Sequence, residues 1–175
     1  KDLFFSGLVA DEFSEFGISK SDLSSYLMPS LKELEKAKIE MHWFGYYTKW
    51  IPQENFYYAA EHCGFMANPD GRSESTYSKH SSLDDRIDGF HFYLGYIKFG
   101  MGRTTRDASQ EMRSGHITRE EAVALVNRYD GEFPSKWFQD LLDYTNLSEE
   151  RFWEVVDGFR APHLWQYEGS EWKLR

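Results

Sequence analysis

Ser82-Leu-Asp-Asp-Arg-Ile-Asp-Gly-Phe-His-Phe-Tyr-Leu-Gly-Tyr-Ile-Lys-Phe99 is the stretch on which the fold turns. Leu83, Ile87, Phe90, Leu94 and Ile97 recur at spacings of three and four, which aligns them on one face of a helix. Phe92, Tyr93, Tyr96 and Phe99 fall on other faces, so the helix is expected to be surrounded by protein and to be the central element. Ser82-Leu-Asp-Asp85 has capping-box spacing with Asp in place of Glu, which predicts the helix start there.

Downstream the pattern stays helical. Thr118-Arg-Glu-Glu121 is a complete capping box followed by Ala122, Leu125, Val126 and Tyr129, and Gly131 and Pro134 stop that helix. Trp137, Phe138, Leu141 and Leu142 form the next stripe. Ser148 then caps a helix carrying Phe152, Val155, Val156 and Phe159. These stripes read as core. The tail from Pro162 to Arg175, with Trp165 and Trp172 in polar surroundings, reads as a terminal strap or hairpin.

Upstream the reading changes. Residues 67–78 are rich in Asn, Pro, Asp, Gly, Arg and Ser, the composition of an exposed connector. Before them, Glu54 to His62 reads as a helix closed by Gly64, and Ile39 to Tyr47 as a short strand of aromatic and strand-forming residues. Pro29 suits the first turn of a helix carrying Leu31 and Leu34, and Ser19 to Asp22 has capping-box spacing. Phe4 to Phe16 shows no clean period and reads as a loop or short irregular helix. A helix followed by an apolar strand suggests one step of a parallel sheet. The expectation is an α/β part over 1–67, a connector over 68–80 and an all-α part over 81–175, mainly helical overall.

Composition narrows the function. The 175 residues include 41% hydrophobic and 18% aromatic residues, a load that favours a packed core over disorder. The formal charge of −9 argues against nucleic acid as a partner of the whole chain, because phosphate binding rests on clustered cations. No apolar run approaches the roughly twenty residues of a membrane span. Cys63 is the lone cysteine, so neither an internal disulfide nor a multi-thiolate metal site can form, and its neighbours suggest a buried, inert thiol. A cytoplasmic location is expected. The chain opens Lys1-Asp2-Leu3 without an initiator Met, which suggests that further sequence precedes it.

One tract departs from helix rules. Lys98-Phe-Gly-Met-Gly-Arg-Thr-Thr-Arg-Asp-Ala-Ser-Gln-Glu-Met-Arg113 places two glycines before a run of hydroxyls, arginines and carboxylates. Gly100 and Gly102 would let backbone approach a ligand, and Thr104 or Thr105 could cap a helix whose N-terminus faces an anion. Arg103, Arg106 and Arg113 offer planar forks for phosphate or carboxylate. The alternative is a glycine-broken junction whose arginines pair with Asp107, Glu111 and Asp85. Asp84, Asp85 and Asp88 near His91 could do acid–base work, or could simply favour a helix N-terminus. The histidines at 42, 62, 80, 91, 116 and 163 read mostly as structural or surface groups, with only His42 and His91 of further interest. No dense His or carboxylate set suggests a metal, and no nucleophile elbow, Walker loop or dinucleotide fingerprint is present.

In order along the chain, Tyr26-Leu-Met-Pro-Ser-Leu, Phe44-Gly-Tyr-Tyr, Ser82-Leu-Asp-Asp-Arg-Ile-Asp-Gly-Phe-His, Tyr96 to Ser109, Ile117-Thr-Arg-Glu-Glu-Ala, Tyr129-Asp-Gly-Glu-Phe-Pro and Phe159-Arg-Ala-Pro-His-Leu-Trp resemble the C-terminal half of the N-acetyl sugar amidotransferases of surface-polysaccharide and nonulosonate pathways. The resemblance implies that residues 1–67 are the remnant of a PP-loop, adenine-nucleotide α-hydrolase-like core. The Ser-Gly-Gly-Lys-Asp-Ser loop of that family is absent from this sequence, as are the cysteines with which family members may hold zinc. ATP and magnesium would therefore be bound mainly outside this chain, zinc only outside it, and the chain alone is expected to be inactive.

The implied reaction adenylates the oxygen of an acetamido group on a UDP-linked N-acetyl sugar. Ammonia then displaces AMP and leaves an acetamidino group. A separate glutaminase subunit, with or without a cyclase-like companion, would supply the ammonia, and a homo-oligomer is compatible. The resemblance implies substrate contacts from Lys98, Arg103, Thr104, Asp107, Glu111 and Arg113, with Asp85, Asp88 and His91 nearby. Tyr46 and Tyr47 would sit at the end of a core strand. Two rivals remain: a noncatalytic helical interaction module, and an RNA-thiolating PP-loop relative, which the acidic balance and missing paired cysteines disfavour.

Overall fold

Helix α4 (Asp88–Phe99) buries Phe90, Tyr93 and Ile97, and the core is assembled on them. Tyr93 joins the buried face, while Leu83 lies before the helix and is exposed, as is Phe99. The computed structural model describes residues 4–5 and 8–175, with backbone alone at 4–5. The opening Lys1–Leu3 lies outside the described residues. The chain divides into two compact units at 49/50, the second being Trp50–Arg175. The fold is mainly helical. Strands among the described residues are confined to two local antiparallel hairpins.

In the first unit, β1 (Phe4–Phe5) pairs with β2 (Leu8–Val9), and a 3₁₀ helix over Ala10–Phe16 follows, where the sequence reads as a loop or short irregular helix. Asp22 accepts hydrogen bonds from the Ser19 amide and hydroxyl and holds the next turn. Helix α1 (Leu31–Ala37) starts from a capping box between Ser30 and Glu33, which leaves Pro29 just before the cap. The strand expected at Ile39–Tyr47 does not form. Residues 39–43 are irregular and Phe44–Tyr47 make a single helical turn, α2. A parallel strand needs a neighbour for its N–H and C=O groups, and none exists among the described residues.

The second unit opens with α3 (Pro52–Cys63), where proline occupies the first turn and Gly64, left-handed at φ 69°, stops the helix as expected. Cys63 is exposed, which corrects its reading as a buried thiol: helix position alone does not say which face meets the core. The division between the two units falls at 49/50. Residues 68–82 are a packed loop. Asn68 N donates to Lys79 O and Ser73 N to Ser78 O, while Ser75, Thr76 and Ser78 are buried. The serines that suggest solvent exposure serve here as short hydrogen-bonding links.

Helix α4 begins at Asp88, six residues after the expected cap. Ser82 sits at φ 55°, outside the extended region a capping residue needs, and Asp85 instead accepts a bond from the Ile87 amide at 2.7 Å. Gly100 ends α4, α5 spans Arg103–Arg113, and α6 (Arg119–Tyr129) starts from the expected Thr118–Glu121 box. A 3₁₀ turn over Ser135–Trp137 leads into α7 (Phe138–Thr145), and Ser148 caps α8 (Glu149–Gly158). The tail forms the hairpin β3 (Trp165–Glu168) and β4 (Glu171–Leu174).

Phe90, Tyr93 and Ile97 pack with Leu141, Leu142, Phe152, Val156 and Trp165 into one core. Phe133 and Phe152 meet Phe90 edge-on and Phe138 meets it at a tilt, all with ring centroids within 6.4 Å. Trp165 closes this core and donates from Nε1 to the Ile97 carbonyl at 2.6 Å. No helix among the described residues is long and apolar enough to cross a membrane.

Candidate functional site

Two clefts flank the start of α5, and Arg103 lines both. The larger, about 550 Å³, lies between the 68–82 loop, the start of α4 and the turn before α7. Its walls include Arg72, Asp85, Arg86, Phe92 and Trp137. The smaller, about 230 Å³, lies between the α5 face, Tyr77 to Ser81 and the start of α3.

Arg103 is 9% exposed and is held from two sides. Its Nε donates to both Asp107 oxygens, at 3.1 and 2.9 Å, one helical turn on, and its guanidinium lies 4.2 Å over the Phe92 ring. Thr76 donates to the same carboxylate at 2.8 Å, which fixes the fork further. Those contacts involve Nε, so both Nη groups stay without a hydrogen bond to the described residues at the cleft walls. A buried guanidinium with a locked stem and open terminal N–H groups is preorganised for a carboxylate or phosphate.

The loop facing Arg103 is pinned by Glu132. Arg72 donates to both of its carboxylate oxygens, at 2.6 and 2.7 Å, and the Ser75 amide donates at 2.9 Å. The Ser75 hydroxyl donates to the Glu132 carbonyl, and Ser75 itself adopts a left-handed φ of 65°. The Arg72 bond, ahead of the Ser75 amide, holds the Glu132 carboxyl below its ordinary pKa against the opposing effect of burial. Thr104, fully buried, donates to the Ser75 carbonyl and so acts inside the scaffold.

The N-terminus of α5 is already closed by an anion of the protein itself. Asp130 accepts bonds from the Gly102 and Thr105 amides at 2.9 and 3.2 Å and from the Thr105 hydroxyl at 2.6 Å. Gly102 is required by that approach, since a Cβ there would lie 2.6 Å from the carboxylate. The glycines therefore admit Asp130 and turn the chain, where a ligand was expected.

Of the residues singled out in the sequence, Arg103, Asp84 and Asp85 line the larger cleft, and Arg103, Arg106, Asp107 and Glu111 the smaller. Lys98 lies 5.1 Å from the Phe159 ring, Arg113 and His91 are exposed, and Asp88 starts α4; none of the four is part of either wall. Tyr46 and Tyr47 belong to the first unit, where both are exposed on α2.

The clefts are also lined by Arg72 and Tyr77, whose stretch reads as a connector, by His80, which reads as a structural or surface histidine, and by Trp137, which reads as core. In the smaller cleft the Tyr77 hydroxyl is buried beside Glu111 without a well-formed hydrogen bond. Burial, then the Glu111 and Asp107 carboxylates, push its pKa up, so it remains a phenol. His80 stacks on Phe56 at 4.3 Å, and burial lowers its pKa more than Asp107 and Glu111 raise it.

The start of α5 does not fit a phosphate of ATP, and the described residues offer no magnesium site. The glycine-flanked helix start that could take a phosphate is closed by Asp130, and no group of three His, Cys, Asp or Glu among the described residues could hold a metal.

Residues 74–175, more than half of the chain, match the family model described as LPS biosynthesis protein WbpG-like, C-terminal domain. The chain belongs to that family. The matched segment begins inside the loop at Glu74 and contains α4 to α8, the core and most of both cleft walls. The WbpG-like assignment places the chain among LPS biosynthesis proteins. A search of curated proteins gave no match.

Proposed function

We propose that this WbpG-like chain forms the sugar-nucleotide side of an ATP-dependent amidotransferase, which converts the acetamido group of a UDP-linked N-acetyl sugar to an acetamidino group. The observation that carries the reading is Arg103: nearly buried, fixed by Asp107 and Phe92, and open at both Nη groups in a cleft large enough for a substantial part of a nucleotide sugar. In this reading a diphosphate oxygen accepts from Arg103, and Asp85 receives a sugar hydroxyl at the same wall. The family assignment supports the setting in LPS biosynthesis. ATP and ammonia would act from other parts of the assembly, with a glutaminase as the ammonia source.

The test uses the full-length protein that carries this chain, incubated with ATP, a UDP-linked N-acetyl sugar and ammonium. The expected products are AMP and a sugar lighter by the difference between oxygen and NH. Arg103→Ala should weaken sugar-nucleotide binding by about 10- to 100-fold, the worth of charge-assisted hydrogen bonds. Unchanged affinity in that variant, or no AMP with the wild type, would sink the reading and favour a docking module.

A further inference from the structure

We propose that the smaller cleft binds a short zwitterion of the α-amino acid type, its carboxylate on Arg106 and its ammonium on Glu111. The argument starts from one face of α5. Arg103, Asp107, Gln110 and Ser114 follow at steps of three and four and form the middle of the cleft floor. Arg103 and Asp107 neutralise each other there. Arg106 and Glu111 flank this line and also face the cleft.

Arg106 has no side-chain partner among the described residues, and Glu111 has no cationic one. Five residues separate them, so helix geometry sets them about 140° apart around the axis and about 7.5 Å apart along it. They cannot pair across the helix as an i, i+4 couple would. A ligand lying over the face can reach both. The axial offset is only part of the gap, since the two lie on opposite flanks of the face. The long Arg106 side chain laid across it closes the lateral part, and two charge-assisted bonds of about 2.8 Å then suit a ligand with its two charges close together.

The rest of the lining agrees with an uncharged, polar remainder on the ligand. Gln53 and Gln110 contribute carboxamides that hold no side-chain hydrogen bond among the described residues, and the buried Tyr77 hydroxyl lacks a well-formed one there. His80, facing Arg103, Asp107 and Glu111 from the loop, is held toward its neutral form by burial. The open charges are then one of each sign. A simple anion would leave Glu111 unpaired beside it, and a simple cation would leave Arg106 unpaired.

This inference is independent of the amidotransferase reading, because its test needs neither ATP nor sugar. Calorimetric titration of the full chain uses L-serine and its two single-charge analogues: ethanolamine, which lacks the carboxylate, and 3-hydroxypropionate, which lacks the ammonium. Serine should bind, and each analogue should bind at least about 10-fold more weakly. Arg106→Gln and Glu111→Gln should each lower serine affinity by about 10-fold or more while far-UV circular dichroism stays unchanged. Should Glu111→Gln fail to fold, Arg106→Gln decides, since Arg106 is exposed and has no side-chain partner to lose. No binding of serine, an analogue as tight as serine, or wild-type affinity in Arg106→Gln overturns the proposal.

Discussion

Glu132 shows how much one carboxylate can organise. It takes two bonds from Arg72 and one from the Ser75 amide, and so ties the loop that walls the larger cleft to the segment after α6. Its pKa is lowered in the folded state, chiefly by Arg72. The stabilisation it gives is therefore fully present above the unfolded value of about 4.3 and fades as pH falls through the folded one. The pair is about one-third exposed, so the expected cost of Glu132→Gln near neutral pH is modest, about 1 kcal/mol. Urea unfolding of wild type and variant at about pH 7 and about pH 3 checks this, since other carboxylates cancel between the two proteins. The gap between them should narrow at the lower pH; a gap that stays constant would mean that the charge of Glu132 is not what holds the loop.

At the scale of elements, α5 depends on a residue from beyond its own chain segment. Asp130 satisfies two amides and a hydroxyl at its start, so Asp130→Ala should destabilise the second unit by about 1–2 kcal/mol in urea unfolding, within the range of lost helix caps. Asp130→Asn, which keeps one acceptor oxygen, should lose less; equal losses would argue that packing, not capping, is the cause. The same comparison explains what could be read from sequence. The boxes at Thr118 and Ser30 are local, each side chain reaching three residues, and the four-residue pattern suffices to place them. Ser82 to Asp85 carries a similar pattern and fails, because the loop takes Ser82 into the left-handed region. Helix stripes were legible because burial repeats with the helical period, as at Phe90 and Ile97. The strand at Ile39–Tyr47 was a misreading of apolar content without a partner to pair. At the site, the Arg103–Asp107 couple follows from i, i+4 spacing, whereas Arg72–Glu132 and Thr105–Asp130 join residues far apart in the chain, which no local pattern encodes.

Across the whole molecule, burial is divided unequally between the two units. Leu23 is the only buried hydrophobic side chain among the described residues of the first unit, whereas Phe90, Ile97, Phe152, Val156, Trp165 and the others all belong to the second. In the first unit, Met41 is 83% exposed and Tyr46 86%, with Trp43 and Phe44 also at the surface. Ordering a residue costs about 1–2 kcal/mol of backbone entropy, and apolar burial is the chief term that offsets it. A stretch of this length with so little burial has opening free energies near the low end of the protein's range. Brief trypsin digestion of the chain should therefore cut first after the exposed Lys32, Lys36, Lys38 or Lys49. A product beginning near Trp50 should then persist, because its exposed cationic sites such as Arg119 and Arg151 lie on helices anchored by Ala122, Phe152 and Val156. Mass spectrometry of the early products decides the matter. First cuts within α6 or α8 would show that the second unit is not the more stable body and that the division of burial does not set the order of opening.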